Sequence, residues 1–132
     1  MLNILQHKFP YKKGRPLITV KLKYKKNVGR YFELLLDSGA DFTLISKSQA
    51  LLLGLQYSKI KSKEIKVEVA NLTLIHAKKA KLRLALLDDE FAIPVLVAKE
   101  EVEPLIGRKG FFEYFDVLFQ ERMNQIVLIK DE

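Results

Sequence analysis

The sequence predicts a mainly β protein, one small β-barrel with one or two short helices. First, apolar and polar residues alternate with the period of a half-buried strand, as in LITVKLKY at 17–24. Second, runs of this kind are short and are separated by turn signals such as KKNVG at 25–29. Third, LLLDSG at 34–39 and PLIG at 104–107 each lead an apolar run into a glycine and then a helix candidate. This weak likeness indicates an internal duplication within one barrel.

The elements follow one another in a simple order. LITVKLKY and YFELLL at 31–36 form a predicted hairpin. A short helix comes next, because Ser46 and Gln49 have the spacing of a capping box and Gly54 gives a C-terminal stop. The later strands are EIKVEVA, LTLIHAKKAKLRLALL, FAIPVLVA and QIVLIK, with turns at 88–90 and 122–124 and one or two helical turns in GFFEYF at 110–115.

Length and composition indicate one globular domain that spans residues 1–132. The chain is 48% hydrophobic and contains no tract rich in Gly, Ser or Pro that would divide it. It has no cysteine, which excludes disulfides and thiolate metal sites and suits a reducing compartment. No apolar run approaches the roughly 20 residues that span a bilayer, and the N-terminus lacks the apolar block of a signal peptide. We therefore expect a cytoplasmic protein without a membrane partner.

The net charge of +7 is concentrated near the N-terminus. Residues 1–30 hold nine of the 23 Lys and Arg residues and no Asp or Glu, and residues 1–15 form a basic N-terminal segment. One interpretation is an arm for nucleic acid, a membrane or an acidic partner. The other is a solvated strand face plus a loose terminus, which the alternation of Lys21, Lys23 and Lys25 favours. Nucleic acid is the weaker candidate, because no aromatic stacking motif accompanies the lysines.

Asp37 occupies a position that calls for a chemical explanation. Its apolar flanks predict burial, and a lone buried carboxylate is unfavourable. Gly39 allows a sharp turn beside it. A second carboxylate facing Asp37 would give the burial a purpose, because two close acids share one proton. One acid then activates water while the other polarises a carbonyl, which is the chemistry of an aspartic peptidase. The simpler alternative is a turn acid that caps local amides.

The second acid has to come from another copy of the chain. No other Asp is followed by Ser or Thr and then Gly, and the remaining candidates lie near predicted turns or chain ends. A two-fold homodimer would bring the two copies of Asp37 side by side on its axis. A single lobe of 132 residues is consistent with this arrangement.

The chain resembles the retropepsins, the single-lobe aspartic proteases typified by retroviral protease, and especially their cellular prokaryotic relatives. The resemblance extends from about Pro16 to Ile129. LLLDSGADFTLI at 34–45 is similar to the family's apolar–Asp–Ser/Thr–Gly–Ala–Asp signature, and PLIGRKGFF at 104–112 is similar to its later apolar–apolar–Gly–Arg segment. The order of strands also agrees. The resemblance implies a closed retropepsin-like barrel, a homodimer, a polypeptide substrate, and neither cofactor nor metal.

The resemblance also implies a role for each residue of the signature. Asp37 would be the catalytic acid of a dyad shared by two subunits, and Ser38 would hydrogen-bond across the dimer beneath it. Gly39 would place its backbone against the bound peptide. Asp41 would contact the substrate backbone and form an ion pair with Arg108 within one subunit.

Further substrate contacts are expected from the neighbouring segments. Ala40 and Ile106 would lie beside the substrate, and Ile106 and Gly107 would support the active-site loop. Family members carry a glycine-rich flap over the substrate, but the corresponding stretch at 61–84 contains no glycine. Ala70 and Asn71 are the predicted flap tip and further substrate contacts, because Asn tolerates turn geometry.

Two functions of different classes fit these features. One is a homodimeric aspartic endopeptidase. The other is a catalytically silent dimerisation or binding module with the same fold, which uses its basic N-terminal region to hold a partner. The intact DSGAD favours the first, and the glycine-free flap keeps the second open.

The histidines and the acidic residues near position 100 give no sign of a metal site. His7 and His76 lie far apart and have no clear acidic partners in the sequence. Glu100, Glu101 and Glu103 are predicted to lie in a solvated loop.

Overall fold

The computed structural model describes residues 4–131. The strands are β1 (Ile4–Pro10), β2 (Leu17–Lys23), β3 (Arg30–Leu36), β4 (Thr43–Ile45), β5 (Ile65–Val69), β6 (Thr73–Leu86), β7 (Asp89–Ala98), β8 (Leu105–Ile106), β9 (Asp116–Gln120) and β10 (Gln125–Asp131). The helix α1 spans Lys47–Leu52, an irregular helical segment spans Arg108–Phe112, and single 3-10 turns lie at Tyr57–Lys59, Ala70–Leu72 and Glu121–Met123.

Six strands form a closed barrel, and the predicted mainly β fold with short helices is confirmed. Around the barrel the order is β2, β3, β8, β4, β7 and β6, and a short pairing of β6 with β2 closes it. The strand β5 extends from β6 as a hairpin outside the ring. A second sheet of three strands has the order β1, β10, β9.

The local predictions for the first hairpin and the helix are confirmed. β2 and β3 pair antiparallel, and the alternation in β2 places Ile18, Val20 and Leu22 in the barrel interior. At α1 the capping box is complete: the Ser46 hydroxyl accepts from the Gln49 N–H, and the Gln49 side chain accepts from the Ser46 N–H.

The barrel interior is filled by branched aliphatic residues and two phenylalanines. Phe111 and Phe115, predicted as core residues, are fully buried, and Phe112 is half-buried. Phe91 packs beside both buried rings and stacks on Tyr114 with ring centroids 4.0 Å apart. The irregular helical segment after β8 is therefore fixed to the barrel by aromatic packing.

The N-terminal region differs from the loose terminus expected as one interpretation. Residues 4–10 form β1, which pairs along its full length with β10. Just beyond it, Lys12 forms an ion pair with Glu33 at 3.0 Å, and Arg15 forms one with Glu103. The sequence could not show that these cations face acids 21 and 88 positions away.

The predicted turn at 88–90 is displaced by one or two residues. The turn lies at Leu87 and Asp88, and Asp89 already begins β7. Asp89 accepts hydrogen bonds from Lys130 at 2.7 Å and from Tyr114 at 3.0 Å, which tie β7 to β10. Among residues 4–131, no helix combines the length and the apolar composition needed to cross a membrane.

Candidate active site

Asp37 lies at the end of β3, where the two glycine motifs of the sequence meet. β3 and β8 pair in parallel, with Leu35 opposite Leu105 and Leu36 opposite Ile106. The Asp37 N–H donates to the Ile106 carbonyl at 2.9 Å. The two apolar runs that end in LDSG and LIG are therefore side by side, and the second run supports the first at the point where the acid leaves the sheet.

The Asp37 side chain is half-buried and oriented by its own turn. One carboxylate oxygen accepts a hydrogen bond from the Gly39 N–H at 2.9 Å, and the Ala40 N–H donates to the Asp37 carbonyl at 3.3 Å. This is the amide contact that a turn acid would make. It is also the kind of contact that holds a reactive carboxylate in one orientation. Ser38 and Gly39 are exposed beside it.

The loop after Asp37 is fastened to the segment after β8 by backbone contacts. The Arg108 N–H donates to the Ala40 carbonyl and the Lys109 N–H to the Asp41 carbonyl, both at 2.8 Å. Gly107 is buried against the backbone of Phe42, where a Cβ atom would lie 2.4 Å from the Phe42 carbonyl carbon and oxygen. Only glycine fits this approach, because real Cβ contacts closer than 3.0 Å are essentially never observed.

Asp41 and Arg108 form the predicted ion pair. One guanidinium nitrogen lies 2.5 Å from one carboxylate oxygen. The hydrogen bond and the positive charge of Arg108 hold the pKa of the Asp41 carboxyl below its usual value. Both side chains are about 60% exposed in the single chain, so solvent screens the pair.

A cavity of about 610 Å³ opens over Asp37 and the following loop. Its polar end is lined by Asp37, Gly39, Ala40 and Asp41. Its apolar walls are Phe42, Leu44, Leu96 and Leu105 together with Ile65, Val67, Val69 and Ala70 of the β5–β6 hairpin. Extended apolar walls around a few polar groups are typical of a ligand site.

The β5–β6 hairpin occupies the position of the predicted flap. Its tip is the turn Ala70–Leu72, and the Asn71 backbone has φ 69°, in the left-handed region that Asn tolerates. Leu72 also has a positive φ of 59° and its side chain is exposed. The tip therefore turns without glycine. Asn71 adopts a left-handed backbone conformation that Asn tolerates, and Leu72 adopts one that is unfavourable for its side chain.

The structure brings together most, though not all, of the predicted site residues. Ala70 faces the same cavity as the Asp37 loop, whereas Asn71, Ser38 and Arg108 are exposed outside its lining. The Ile106 side chain is fully buried in the core, so a direct substrate contact does not fit its position in this chain. Leu105, its neighbour, lines the cavity instead.

Sequence reasoning missed two residues of the site, Phe42 and Thr43. Phe42 lines the cavity between two cations, with the Lys79 and Lys109 ammonium groups each 4.8 Å from its ring centroid. Thr43 is fully buried, and its hydroxyl accepts the Gly107 N–H at 3.3 Å. A hydroxyl residue inside the apolar run FTLI was the signal for this contact, because a buried hydroxyl requires a partner.

His76 has the acidic partner that the sequence did not reveal. Its Nδ1 atom lies 3.2 Å from a Glu100 carboxylate oxygen, and the same carboxylate accepts the His76 backbone N–H at 3.1 Å. The Glu100 loop therefore binds the base of the flap rather than being merely solvated. Among residues 4–131, no group of three or more His, Cys, Asp or Glu side chains is placed to hold a metal ion.

A family model described as retroviral aspartyl protease matches residues 12–113. The match includes both glycine motifs and the whole flap hairpin. No curated protein matches this sequence.

Two solved structures are similar to the chain over most of its length. A retropepsin-like aspartic protease from Rickettsia conorii aligns with a TM-score of 0.69 at 16% identity, covering 99% of this chain and 95% of that protein. EIAV protease in complex with the inhibitor HBY-793 aligns with a TM-score of 0.52 at 16% identity, covering 71% of this chain and 82% of the viral protein. At this identity the similarity establishes the shared fold.

Proposed function

Because the chain belongs to the retroviral aspartyl protease family, we propose that it is an aspartic endopeptidase whose catalytic dyad contains Asp37 from each of two subunits. One observation carries this proposal. The half-buried Asp37 lies at a strand end, in a cavity that is closed on another side by a hairpin. A cavity of this size suits a short extended stretch of polypeptide.

The proposed reaction uses one proton shared by the two carboxyl groups. The ionised Asp37 takes a proton from water, and the resulting hydroxide adds to the carbonyl carbon of the scissile peptide bond. The protonated Asp37 of the other subunit gives its proton to the carbonyl oxygen, which yields a gem-diol. Proton transfer to the amide nitrogen then allows the C–N bond to break, leaving a carboxylic acid and an amine.

The surrounding residues would position the acids and the substrate. The Gly39 N–H orients the Asp37 carboxylate, and Ser38 is exposed where a second subunit could accept its hydrogen bond. Gly39, Ala40 and Asp41 present backbone groups and a carboxylate to an extended peptide.

The remaining residues would either cover the peptide from the flap or act on it through another residue. Ala70 and Asn71 would close over it from the flap. Arg108 fixes Asp41, and Ile106 acts through its carbonyl on the Asp37 amide rather than by touching the peptide.

The catalytic proposal is stronger than the alternative of a silent binding module. Two of the cations in the N-terminal region that such a module would use, Lys12 and Arg15, are paired with Glu33 and Glu103. The flap hairpin forms without glycine, which supports the catalytic proposal. We further propose a cytoplasmic location, in line with a sequence that contains no cysteine.

The direct test is cleavage of an unfolded polypeptide by the purified protein over a series of buffers from acidic to neutral pH. A dyad that titrates as a coupled pair predicts a bell-shaped profile with its optimum on the acid side of neutrality. Asp37→Asn should abolish cleavage and leave the circular dichroism spectrum unchanged, because the amide is nearly isosteric with the carboxylate. Cleavage that persists in this variant would refute the assignment of Asp37.

A covalently tethered dimer tests whether the site is shared. One copy keeps Asp37 and the other carries Asp37→Asn, and the control is a tethered dimer with both acids intact. A shared dyad predicts that the mixed dimer is almost as inactive as the double variant. Half of the control activity would show that each subunit works alone.

A further inference from the structure

A second and larger groove, of about 710 Å³, runs along residues 79–83 of β6 and is also lined by the loop at 59–62. Its cationic lining is Lys25, Lys59, Lys61, Lys79, Lys81 and Arg83. No Asp or Glu of residues 4–131 lines it. Arg83 has a partner just outside the groove, since its guanidinium lies 3.6 Å from the Glu90 carboxylate. The other cations make the groove strongly positive, and a concave site of one sign attracts ligands of the opposite charge.

The floor of the groove includes an open edge of the sheet. β5 pairs with β6 at residues 73–77, and β2 pairs with the same edge at residues 83–85. The described strands therefore leave residues 78–82 of that edge without a strand partner. The Ser62 hydroxyl donates to the Lys79 carbonyl at 2.8 Å, which shows that Lys79 directs its backbone toward this edge. Lys81, two residues on, must direct its N–H and carbonyl the same way.

The groove is connected to the Asp37 cavity by Lys79. This residue lines both concavities, and its ammonium group lies 4.8 Å from the centroid of the Phe42 ring in the cavity. A chain that leaves the cavity along β6 would enter the groove. There it would meet apolar surface from the half-buried Ile60 between the cations.

From these observations we infer that the groove binds an acidic, extended segment of the polypeptide substrate, next to the segment held over Asp37. This inference rests on the proposed function and narrows the substrate class to polypeptides with a cluster of Asp or Glu near the cut site. The open edge at Lys81 suits main-chain pairing with an extended peptide. Single-stranded nucleic acid fits less well, because Tyr24 is the single aromatic residue among the described residues that line the groove, and Lys25 already lies over its ring.

Binding is measured first, with cleavage prevented by Asp37→Asn. The probe is a short fluorescein-labelled peptide in which Glu and Val alternate, and the matched peptide has Gln at every Glu position. Fluorescence anisotropy should show tighter binding of the acidic peptide, and added salt should weaken it. Lys61→Gln with Lys81→Gln should weaken binding by about five-fold, the effect of losing two exposed charge contacts. Lys13→Gln with Lys47→Gln removes two exposed cations outside the groove and should have no effect.

Equal affinity of the groove variant and its control for the acidic peptide would overturn the inference. So would equal affinity of the intact groove for the Glu and Gln peptides. An oligothymidylate that binds more tightly than the acidic peptide, and loses its binding in the groove variant, would assign the site to nucleic acid instead. None of these results depends on cleavage, so each is separate from a failure of the proposed function.

Cut-site mapping supplies the second measurement. A mixture of denatured polypeptides is digested with the protein that retains Asp37, and the new termini are identified by mass spectrometry. Acidic residues should be enriched on one side of the cuts, and Lys61→Gln with Lys81→Gln should remove that enrichment while leaving the residues at the cut itself unchanged. Cut sites with the same acidic enrichment in both proteins would refute the groove. Cleavage by neither protein, with acidic-peptide binding intact, would refute the proposed function alone.

Discussion

Replacing Gly107 by alanine should distort the loop that follows Asp37 without changing the Asp37 side chain. The added Cβ atom would lie 2.4 Å from the carbonyl carbon and oxygen of Phe42 and 2.8 Å from its nitrogen. All three are backbone atoms, so no side-chain rotation can relieve the contact. Either the Phe42 backbone or the segment after β8 has to move.

The expected loss of stability is the sum of the steric cost and of the hydrogen bonds that this movement breaks. Forced overpacking of a buried site costs about 1–3 kcal/mol. The hydrogen bonds from Gly107 to Thr43 and from Arg108 to Ala40 span the same gap, and the loss of each costs about 1 kcal/mol. The free energy of unfolding should therefore fall by about 3–5 kcal/mol. In a chain of this length that lowers the melting temperature by about 10–20 °C.

Gly29→Ala is the matched control. Its Cβ atom would lie 2.7 Å from Cε of Lys21, near the end of a flexible side chain that can move aside, and its nearest backbone contact would be the Leu22 carbonyl oxygen at 3.3 Å, where a shift of a few tenths of an ångström suffices. Both substitutions reduce the conformational freedom of the unfolded chain by the same amount, so the difference between the two melting temperatures isolates the backbone clash. Melting is followed by circular dichroism at one protein concentration, because assembly shifts the midpoint. A Gly107→Ala midpoint within about 2 °C of the Gly29→Ala midpoint would refute the reasoning.

Three further outcomes are expected. Arg108→Ala should change the melting temperature by less than about 3 °C, because the pair with Asp41 is solvent-exposed, and the Asp41 pKa measured by NMR should rise toward its usual value. The hydrogen bond from Lys130 holds the pKa of the Asp89 carboxyl below its usual value, so the stabilisation from Asp89 should be present above about pH 4 and lost as pH falls further. Asp89→Asn should therefore weaken the decrease in the free energy of unfolding at acidic pH. Ala70→Gly should loosen the flap tip and raise KM more than it lowers kcat; a change in kcat alone would contradict a role in substrate closure.

The parts of the fold that depend on neighbouring residues could be predicted from the sequence. The β2–β3 hairpin follows from alternation and its turn, and the start of α1 follows from Ser46 and Gln49, whose contacts span three residues. The flap tip at Asn71 was predictable for the same reason, because the tolerance of Asn for a positive φ is a local property.

The parts that depend on distant contacts could not be predicted. The sequence shows glycine at 107, but the need for glycine arises from the Phe42 backbone 65 residues earlier. The pairing of β1 with β10 joins the two ends of the described chain, and neither end carries a signal for the other. The contact of His76 with Glu100 likewise depends on where β7 ends relative to β6.

The closure of the barrel has a consequence for how the protein opens. β2 and β6 meet over only three residue pairs, and one of these places Lys23 directly opposite Arg83. Like charges that face each other across a ladder repel, so the facing side chains of Lys23 and Arg83 oppose the closure of this seam. Added salt should slow amide hydrogen exchange at the Lys21–Lys23 and Arg83–Ala85 amides, because it screens this repulsion. Opening at this seam would separate β2 from β6 beside the groove that would hold an acidic chain.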